Sequence, residues 1–374
     1  MKDSVAVLHF GGTTLSVCIA SRGVGGALKT KTRVNAEYGG IIGGEFVEAG
    51  KLAEVLHAAV RQAFKNLKVK PKKLFVGVPS SFCEVIARSE VLLFEKPKEI
   101  NARDVRQLFN FEFSNDFSTI INKSAVFFRV DDGRPVISAL GQVAKKVQAQ
   151  ISLIACANSF IDTIRSCLIG SGLRRVEFVS VALAECLHLI DQDSRDKTSV
   201  MLSCGMFATG VAVCSGDGLV YLRTFDQGIA HVINDVSVVL NIPFTAANML
   251  VNEAVLSVKM NDDDNYEVML DAGTSAQRQA KFAASTVNDI IKSRMEVMGD
   301  NIVRLINLAD SKLIGSPIFI CGGNLDAVGG ARDFFSKTIG AHIQQCICPL
   351  TRQNKPSELT IAALLNLALT QEGK

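Results

Sequence analysis

The fold is decided by Ser4-Val-Ala-Val-Leu-His-Phe-Gly-Gly-Thr-Thr-Leu-Ser-Val-Cys-Ile-Ala20 and by its echo half a chain later, Thr198-Ser-Val-Met-Leu-Ser-Cys-Gly-Met-Phe-Ala-Thr-Gly-Val-Ala-Val-Cys-Ser-Gly-Asp-Gly-Leu219. In the first, an apolar run enters Gly11–Gly12, passes Thr13–Thr14 and leaves in alternation, which reads as strand, tight turn, strand. Glycine at such a turn admits positive φ and lets a ligand approach the backbone closely. A hydroxyl-bearing glycine turn of this kind either offers its N–H groups to phosphate oxygens or closes an ordinary hairpin. With Gly205 laid over Gly11, Leu202 falls on Leu8, Val211 on Val17 and Val213 on Ile19. A further strand follows each hairpin, Leu28–Val34 after the first and Leu219–Phe225 after the second. A meander started twice implies an internal duplication, and hence two similar α/β halves. A third glycine turn, Gly322-Gly323-Asn324, follows the apolar Pro317-Ile-Phe-Ile-Cys321 and precedes a helix-like segment. Strand, glycine turn and helix N-terminus in that order favour a bound anion or nucleotide.

Composition narrows the rest. The chain has 374 residues, 48% hydrophobic and 21% charged, which predicts two or three globular units and excludes wholesale disorder. Forty Lys and Arg face 37 Asp and Glu, a formal charge of +3. That balance does not predict a nucleic-acid binder. The 10 cysteines include no CxxC pair, Cys346 and Cys348 lying nearest each other. They read as buried thiols of a reducing cytoplasm, not as a disulfide framework or a zinc cluster. Trp is absent and Tyr numbers 3, so aromatic platforms for sugars or bases lack their usual material. The apolar run 4–8 is too short for a signal-peptide core. No run approaches the ~18 apolar residues of a membrane span. Leu359–Leu369 is helical in pattern and apolar nearly all round, which predicts a buried helix instead of a membrane-surface one.

Between the meanders, Glu48–Asn66 places Leu52, Val55, Leu56, Ala59, Val60, Ala63 and Phe64 at helical spacing. A basic loop, Lys68–Lys73, leads to a core strand at Leu74–Val78. Residues 80–150 are more polar, with strand-like Val85–Phe94, Ser124–Val130 and Pro135–Val143 and a helix near Ala102–Phe113. They read as a small α+β unit inserted into the first half. Core pattern resumes at Ile151–Ala157, and a helix follows near Ser159–Gly170. The expected organisation is a first half over 1–79 and 151–193, an insert over 80–150, and a second half over 194–374 with a helical lobe at about 232–310. Polar Asp191–Lys197 is the expected hinge, and acidic Asn261–Asn265 a solvated tip without calcium-loop spacing. The strands Val5–Leu8, Leu74–Val78, Val200–Leu202 and Ile318–Cys321 are the expected core.

Two meanders with phosphate-type turns and a late Gly-Gly strand-to-helix turn resemble the actin/Hsp70/sugar-kinase superfamily, and within it the bacterial cell-division actin FtsA. The segments that carry the resemblance are Glu37–Leu52, Asp226–Val236 with Leu240–Asn248, Ile290–Glu296 and Ile318–Leu325. The insert also lies where FtsA carries its small subdomain. PilM of the type IV pilus, with an insert at the same place, is the competing resemblance, and Val78-Pro-Ser-Ser81 is similar to it. The resemblance implies ribonuclease-H-like halves around a nucleotide cleft. Carried onto this sequence it makes Gly11, Gly12, Thr13, Thr14, Gly205, Thr209, Asn248, Gly322, Gly323 and Asn324 nucleotide-binding candidates, for ATP with Mg²⁺. It implies FtsZ, the tubulin-like division protein, as partner through the helical part near 232–300, with Arg294 on the family's Arg, as well as self-assembly into filaments. It places the protein in the cytoplasm at the membrane of the division site. FtsA ends in a linker and an amphipathic membrane helix, so membrane contact here is expected through a partner or through a segment beyond Lys374.

The departures from the pattern bear on chemistry. His9 stands where the superfamily places an Asp before the first turn, Ser203 stands for the second such Asp, and Gly210 for the Asp that closes the second turn. Met206 and Phe207 replace glycines, Asn248 and Val251 replace a Glu/Lys pair, and Asn324 replaces a Gly. Those carboxylates orient Mg²⁺ and the attacking water, and phosphoryl transfer is nearly all positioning and charge neutralisation. The expectation is therefore a degenerate ATP site with very slow hydrolysis at most and no assigned catalytic residue, His9 being a core or turn histidine. An active ATPase or a sugar or acyl kinase is the alternative; it needs a general base in the cleft, and neither hairpin turn supplies an Asp.

Overall fold

Unbroken aliphatic sequence gives Ser4–Phe10 (β1) and Thr14–Arg22 (β2) the character of strands covered on both faces. They pair antiparallel across the Gly11 turn with Leu8 opposite Val17. The computed structural model describes residues 4–65, 67, 71, 73–113, 115–261, 263–271, 277–322, 328–348 and 356–372. Leu28–Glu37 (β3) completes the first meander, the short pair Ile41–Ile42 (β4) and Glu45–Phe46 (β5) follows, and Ala49–Phe64 (α1) crosses over to Lys73–Val78 (β6). Helix α1 buries Leu52, Leu56, Ala59, Val60, Ala63 and Phe64, the stripe its spacing requires.

The insert consists of Cys83–Glu99 (β7), Ala102–Leu108 (α2), Ser118–Val130 (β8), Pro135–Val136 (β9) and Val143–Ala157 (β10). Asn101 caps α2, accepting from the Arg103 and Asp104 amides while Asp104 accepts from its own amide. Its sheet runs β7-β10-β8-β9. The break expected at Ile151 has no counterpart in the backbone: β10 is one strand, paired with β7 from Val143–Glu99 to Cys156–Cys83. In the apolar run Ile151–Ala157, Ile151 and Leu153 face the insert's own core while Ile154, Cys156 and Ala157 pack on the cores of the halves, so the run looks like a core strand in sequence. The helix expected to Phe113 ends at Leu108.

The chain returns through Asn158–Leu168 (α3), Arg175–Ser180 (β11), Val181–Leu189 (α4) and Gln192–Asp196 (α5). The second half then repeats the first: Ser199–Cys204 (β12), Thr209–Ser215 (β13) and Gly218–Phe225 (β14), with Leu202 opposite Val211. Ile229–Leu240 (α6), Phe244–Glu253 (α7), Asn265–Asp271 (β15), Gln277–Ala283 (β16) and Ala284–Asp310 (α8) build the lobe. The lobe, expected to be mainly helical, also carries the β15–β16 hairpin; Val268 and its partner Ala280 line the underside of the hairpin. Ile318–Cys321 (β17), Ala331–Ile339 (α9), Ile343–Gln345 (β18) and Pro356–Glu372 (α10) finish the described chain. The two large sheets run β11-β6-β1-β2-β3 and β18-β17-β12-β13-β14. Each is an antiparallel meander joined edge-on to two parallel strands, so the duplication is one of topology as well as of sequence.

Helix α10 is buried almost throughout and packs against α4 in a core shared by both halves, with Leu364 fully covered and 2.8 Å from where a Cβ on Gly77 would stand. All four expected core strands are buried. The expected hinge 191–197 is anchored instead of free. Buried Arg195 donates to the carbonyls of Leu187 (3.1 Å), Ile190 (2.6 Å) and Gly216 (3.3 Å). The insert also reaches the second half: a Cβ on Gly218 would stand 2.9 Å from Ser152 Cβ, and one on Gly216 2.5 Å from the Val126 carbonyl oxygen.

Candidate functional site

The Gly11 and Gly205 turns face each other across a cleft of about 360 Å³ between the halves. Its walls are the ends of β1 and β12, the 79–81 segment, the first turns of α4, Gly322 and Thr360 of α10. Of the nucleotide-binding candidates, Gly11, Gly12, Thr14, Gly205 and Gly322 line it. Gly322 has φ +113, and a Cβ there would stand 2.4 Å from the Cys204 carbonyl oxygen, so only glycine fits. Thr13 and Asn248 do not line the cleft; Thr13 is exposed, and Asn248 lies half-buried on α7. Thr209 is fully buried, and its hydroxyl donates to the Gln227 carbonyl at 2.8 Å, a structural use. Gly323 and Asn324 lie outside the described residues.

The turns are engaged with the protein itself. Tyr38 Oη donates to the Gly11 carbonyl at 2.7 Å, and the Tyr38 amide to the Thr13 carbonyl at 3.0 Å. The first two N–H groups of α6, Ile229 and Ala230, donate to the carbonyls of Gly205 (3.2 Å) and Met206 (2.9 Å). The helix N-terminus that would welcome an anion is capped by backbone oxygens instead. A Cβ on Gly12 would stand 2.5 Å from Met206 Cβ, and one on Gly40 2.7 Å from the Phe207 ring. The Gly205 turn thus meets the Gly11 turn through Met206 and the Gly40 backbone through Phe207.

The chemistry of the cleft is set by one acid, one imidazole, the Arg33 guanidinium and several hydroxyls. Glu185 on α4 is 3% exposed. It accepts from Ser203 Oγ at 2.5 Å and from Thr360 Oγ1 at 2.6 Å, one hydroxyl on each oxygen. Burial raises its pKa, and the hydrogen bonds from Ser203, Thr360 and Cys321 oppose the rise. His9 is held down to about 4 by burial and then by Arg33, so its imidazole is neutral at pH 7. Its Nδ1 is buried and has no hydrogen-bond partner among the described residues. Sequence reasoning missed Glu185 by looking for acids only at the hairpin turns. A signal was present: Glu185 is the one carboxylate in the otherwise apolar run Val181–Leu187.

These residues do not fit Mg²⁺. The ion needs hard oxygen ligands in octahedral array, yet the cleft offers one carboxylate with both oxygens already bonded, and no cluster of three His, Cys, Asp or Glu suited to a metal occurs among the described residues. Arg294, the candidate partner contact, donates from Nε to Asp235 Oδ2 at 2.6 Å and from NH2 to Oδ1 at 2.9 Å. This bidentate pair ties α8 to α6 and raises the guanidinium pKa further. No single helix among the described residues is long and apolar enough to cross a membrane.

No family model matches the chain. In sequence it is similar to the cell division protein FtsA of Enterococcus hirae, 22% identical over 321 residues, covering 83% of this chain and 71% of that protein. FtsA of Enterococcus faecalis is 23% identical over 263 residues, covering 69% and 58%. Among solved structures, the PilM–PilN type IV pilus biogenesis complex superposes with a TM-score of 0.60 at 12% identity, covering 99% of both chains. MreB5 of Spiroplasma citri bound to AMPPNP gives 0.60 at 10% identity, covering 100% and 98%.

Proposed function

From the premise that this chain is a divergent actin-like protein, similar in sequence to FtsA, we propose that it is an FtsA-like adaptor of the division machinery that works by assembly and partner binding. In this reading it self-associates, recruits the tubulin-like FtsZ through the helical lobe, and acts on the cytoplasmic side of the membrane. The observation that carries the proposal is the close approach of Met206 to Gly12 and of Phe207 to Gly40 across the cleft, where the resemblance would put phosphate oxygens. A fold that keeps its duplicated halves and loses its metal-orienting acids retains a scaffold more readily than a turnover cycle. ATP is then at most a weak ligand bound without a metal requirement. Arg294 contributes to the FtsZ surface by holding α6 and α8 in register.

The test is co-sedimentation of the purified protein with FtsZ polymers on vesicles, alongside steady-state ATP hydrolysis. FtsZ-dependent pelleting with turnover far below ~1 s⁻¹ supports the reading. Hydrolysis near ~1 s⁻¹, or phosphorylation of a sugar or acyl acceptor, overturns it in favour of an enzyme. A second reading is favoured by the insert and by the likeness to PilM over nearly the whole of both chains: a PilM-like pilus adaptor that holds a short PilN-type segment. Binding of such a peptide with no affinity for FtsZ selects this reading.

A further inference from the structure

Away from the cleft, the first half carries a second cavity, of about 580 Å³, where the last turns of α1 meet the loop between α3 and β11. Gly170 and Gly172 give that loop its course, at φ +80 and +79, values that side-chain-bearing residues avoid. Arg61, Lys65 and Arg174 line the cavity, and among the described residues no Asp or Glu does so. None of the three cations has an ion-pair partner among the described residues. The contrast lies a few residues away, where Lys73 is met by two carboxylates, Glu177 at 2.9 Å and Glu372 at 3.1 Å. His57 also walls the cavity, with Nε2 buried and without a hydrogen-bond partner among the described residues. Val60, Phe64 and Leu173 supply apolar wall between the charges.

Three like charges gathered on a concave, partly apolar surface repel one another and focus a positive potential into the space they share. An anion with several oxygens relieves that repulsion. Two guanidinium forks favour phosphate, which accepts paired N–H bonds, and Lys65 adds a point charge. The cavity is far larger than inorganic phosphate, which leaves apolar wall for a body attached to it. We propose that this cavity is a binding site for a phosphate ester, through Arg61, Lys65 and Arg174, separate from the cleft and independent of the function proposed above. The same chemistry is offered by a soluble phosphorylated compound and by the headgroup of an anionic phospholipid.

The test uses the full chain and the double variant Arg61→Gln/Arg174→Gln, both positions being exposed at the rim. Thermal unfolding followed by circular dichroism in sodium phosphate is compared with sodium chloride at equal ionic strength, which removes general screening. Vesicles of phosphatidylcholine with and without 30% phosphatidylglycerol form the second arm, read as about a third anionic surface. Phosphate is expected to raise the melting temperature of the parent, and the double variant to weaken apparent phosphate affinity by roughly tenfold or more while melting normally in chloride. Phosphatidylglycerol-dependent pelleting lost in the variant identifies the lipid source; a phosphate response without pelleting identifies a soluble ester. Either result supports the site. Equal phosphate shifts in parent and variant place the anion elsewhere and overturn the proposal, as does a parent that responds to neither phosphate nor phosphatidylglycerol.

Discussion

Lowering the pH from 8 to 5 should destabilise this protein through two histidines. His9 in the cleft and His188 on α4 are each held down to about 4, His9 by burial and then Arg33, His188 by burial and then Arg195 and Arg22. In the unfolded chain both titrate near 6.5, so between about 6.5 and 4 the unfolded state binds more protons than the folded one. Stability therefore rises with pH across that window and is lost as pH falls. At pH 5 each unfolded histidine is stabilised by protonation over about 1.5 pH units, and its folded counterpart hardly at all. At about 1.4 kcal/mol per unit this removes about 2 kcal/mol per histidine, about 4 for the pair. Glu185 acts in the opposite sense. Its folded pKa is raised, so its contribution is present below about 4.5 and is lost as pH rises. The lowered carboxyls of Asp104 and Asp191 act below the window. The assay is urea unfolding at pH 5 and pH 8, read by far-ultraviolet circular dichroism because the chain has no Trp. In a Glu185→Gln background, adding His9→Gln and His188→Gln should flatten the difference to about 1 kcal/mol or less. If the triple variant keeps the slope of Glu185→Gln alone, or if that background is equally stable at both pH values, the burial argument for these imidazoles is refuted.

Three further outcomes follow. Met206→Gly/Phe207→Gly should raise ATP affinity at least roughly tenfold in calorimetric titration, with little Mg²⁺ dependence, because it unplugs the turns without supplying carboxylates; unchanged affinity would show that these side chains are not the obstruction. Arg195→Ala should cost about 3–5 kcal/mol in urea unfolding, since it leaves three carbonyl acceptors without their donor inside the junction between the halves. A double-mutant cycle on Arg294 and Asp235 should give a coupling of about 1–2 kcal/mol for this partly exposed pair. Were FtsZ binding to survive both single substitutions at full strength, Arg294 would have no part in that surface.

Much of the architecture was written in local pattern. The two meanders share a register, Leu8 opposite Val17 and Leu202 opposite Val211, and a periodic apolar stripe such as that of α1 needs no tertiary information to be read. The misreadings arose where burial came from a distant partner. Ile151–Ala157 is apolar because one strand serves two cores, Ile151 and Leu153 that of the insert and Ile154 and Cys156 those of the halves, so composition places it in the wrong sheet. Asp191–Lys197 looks like a solvated hinge because its anchor, Arg195, is a charge satisfied by the carbonyls just before it and by Gly216 and Asp217 of the second half. The β15–β16 hairpin has polar flanks and shows only a short alternation. In the cleft, motif logic located the two glycine turns that face each other. It could not find Glu185, whose chemistry comes from hydroxyls 18 and 175 residues away in sequence.

The cleft geometry bears on how such a protein changes state. In a two-lobed fold a ligand drives closure only by its differential affinity for the closed form. Here the protein's own contacts already span the halves, among them α10 against α4, Glu185 with Ser203 and Thr360, the inserted sheet against Gly216 and Gly218, and Met206 with Phe207 against Gly12 and Gly40. Those that would be lost if the halves moved apart favour the present arrangement without any ligand, which leaves a nucleotide less to add. A partner that grips both halves from outside, or a second copy packed along them, has no such handicap. Hydrogen exchange separates the cases. If assembly is the switch, amides of the 205–208 turn and of the first turn of α6 should slow on partner binding or self-association and stay unmoved by ATP with Mg²⁺. Protection of that turn by ATP with Mg²⁺ alone would mean that the nucleotide still closes the cleft and that the bridging side chains yield to it.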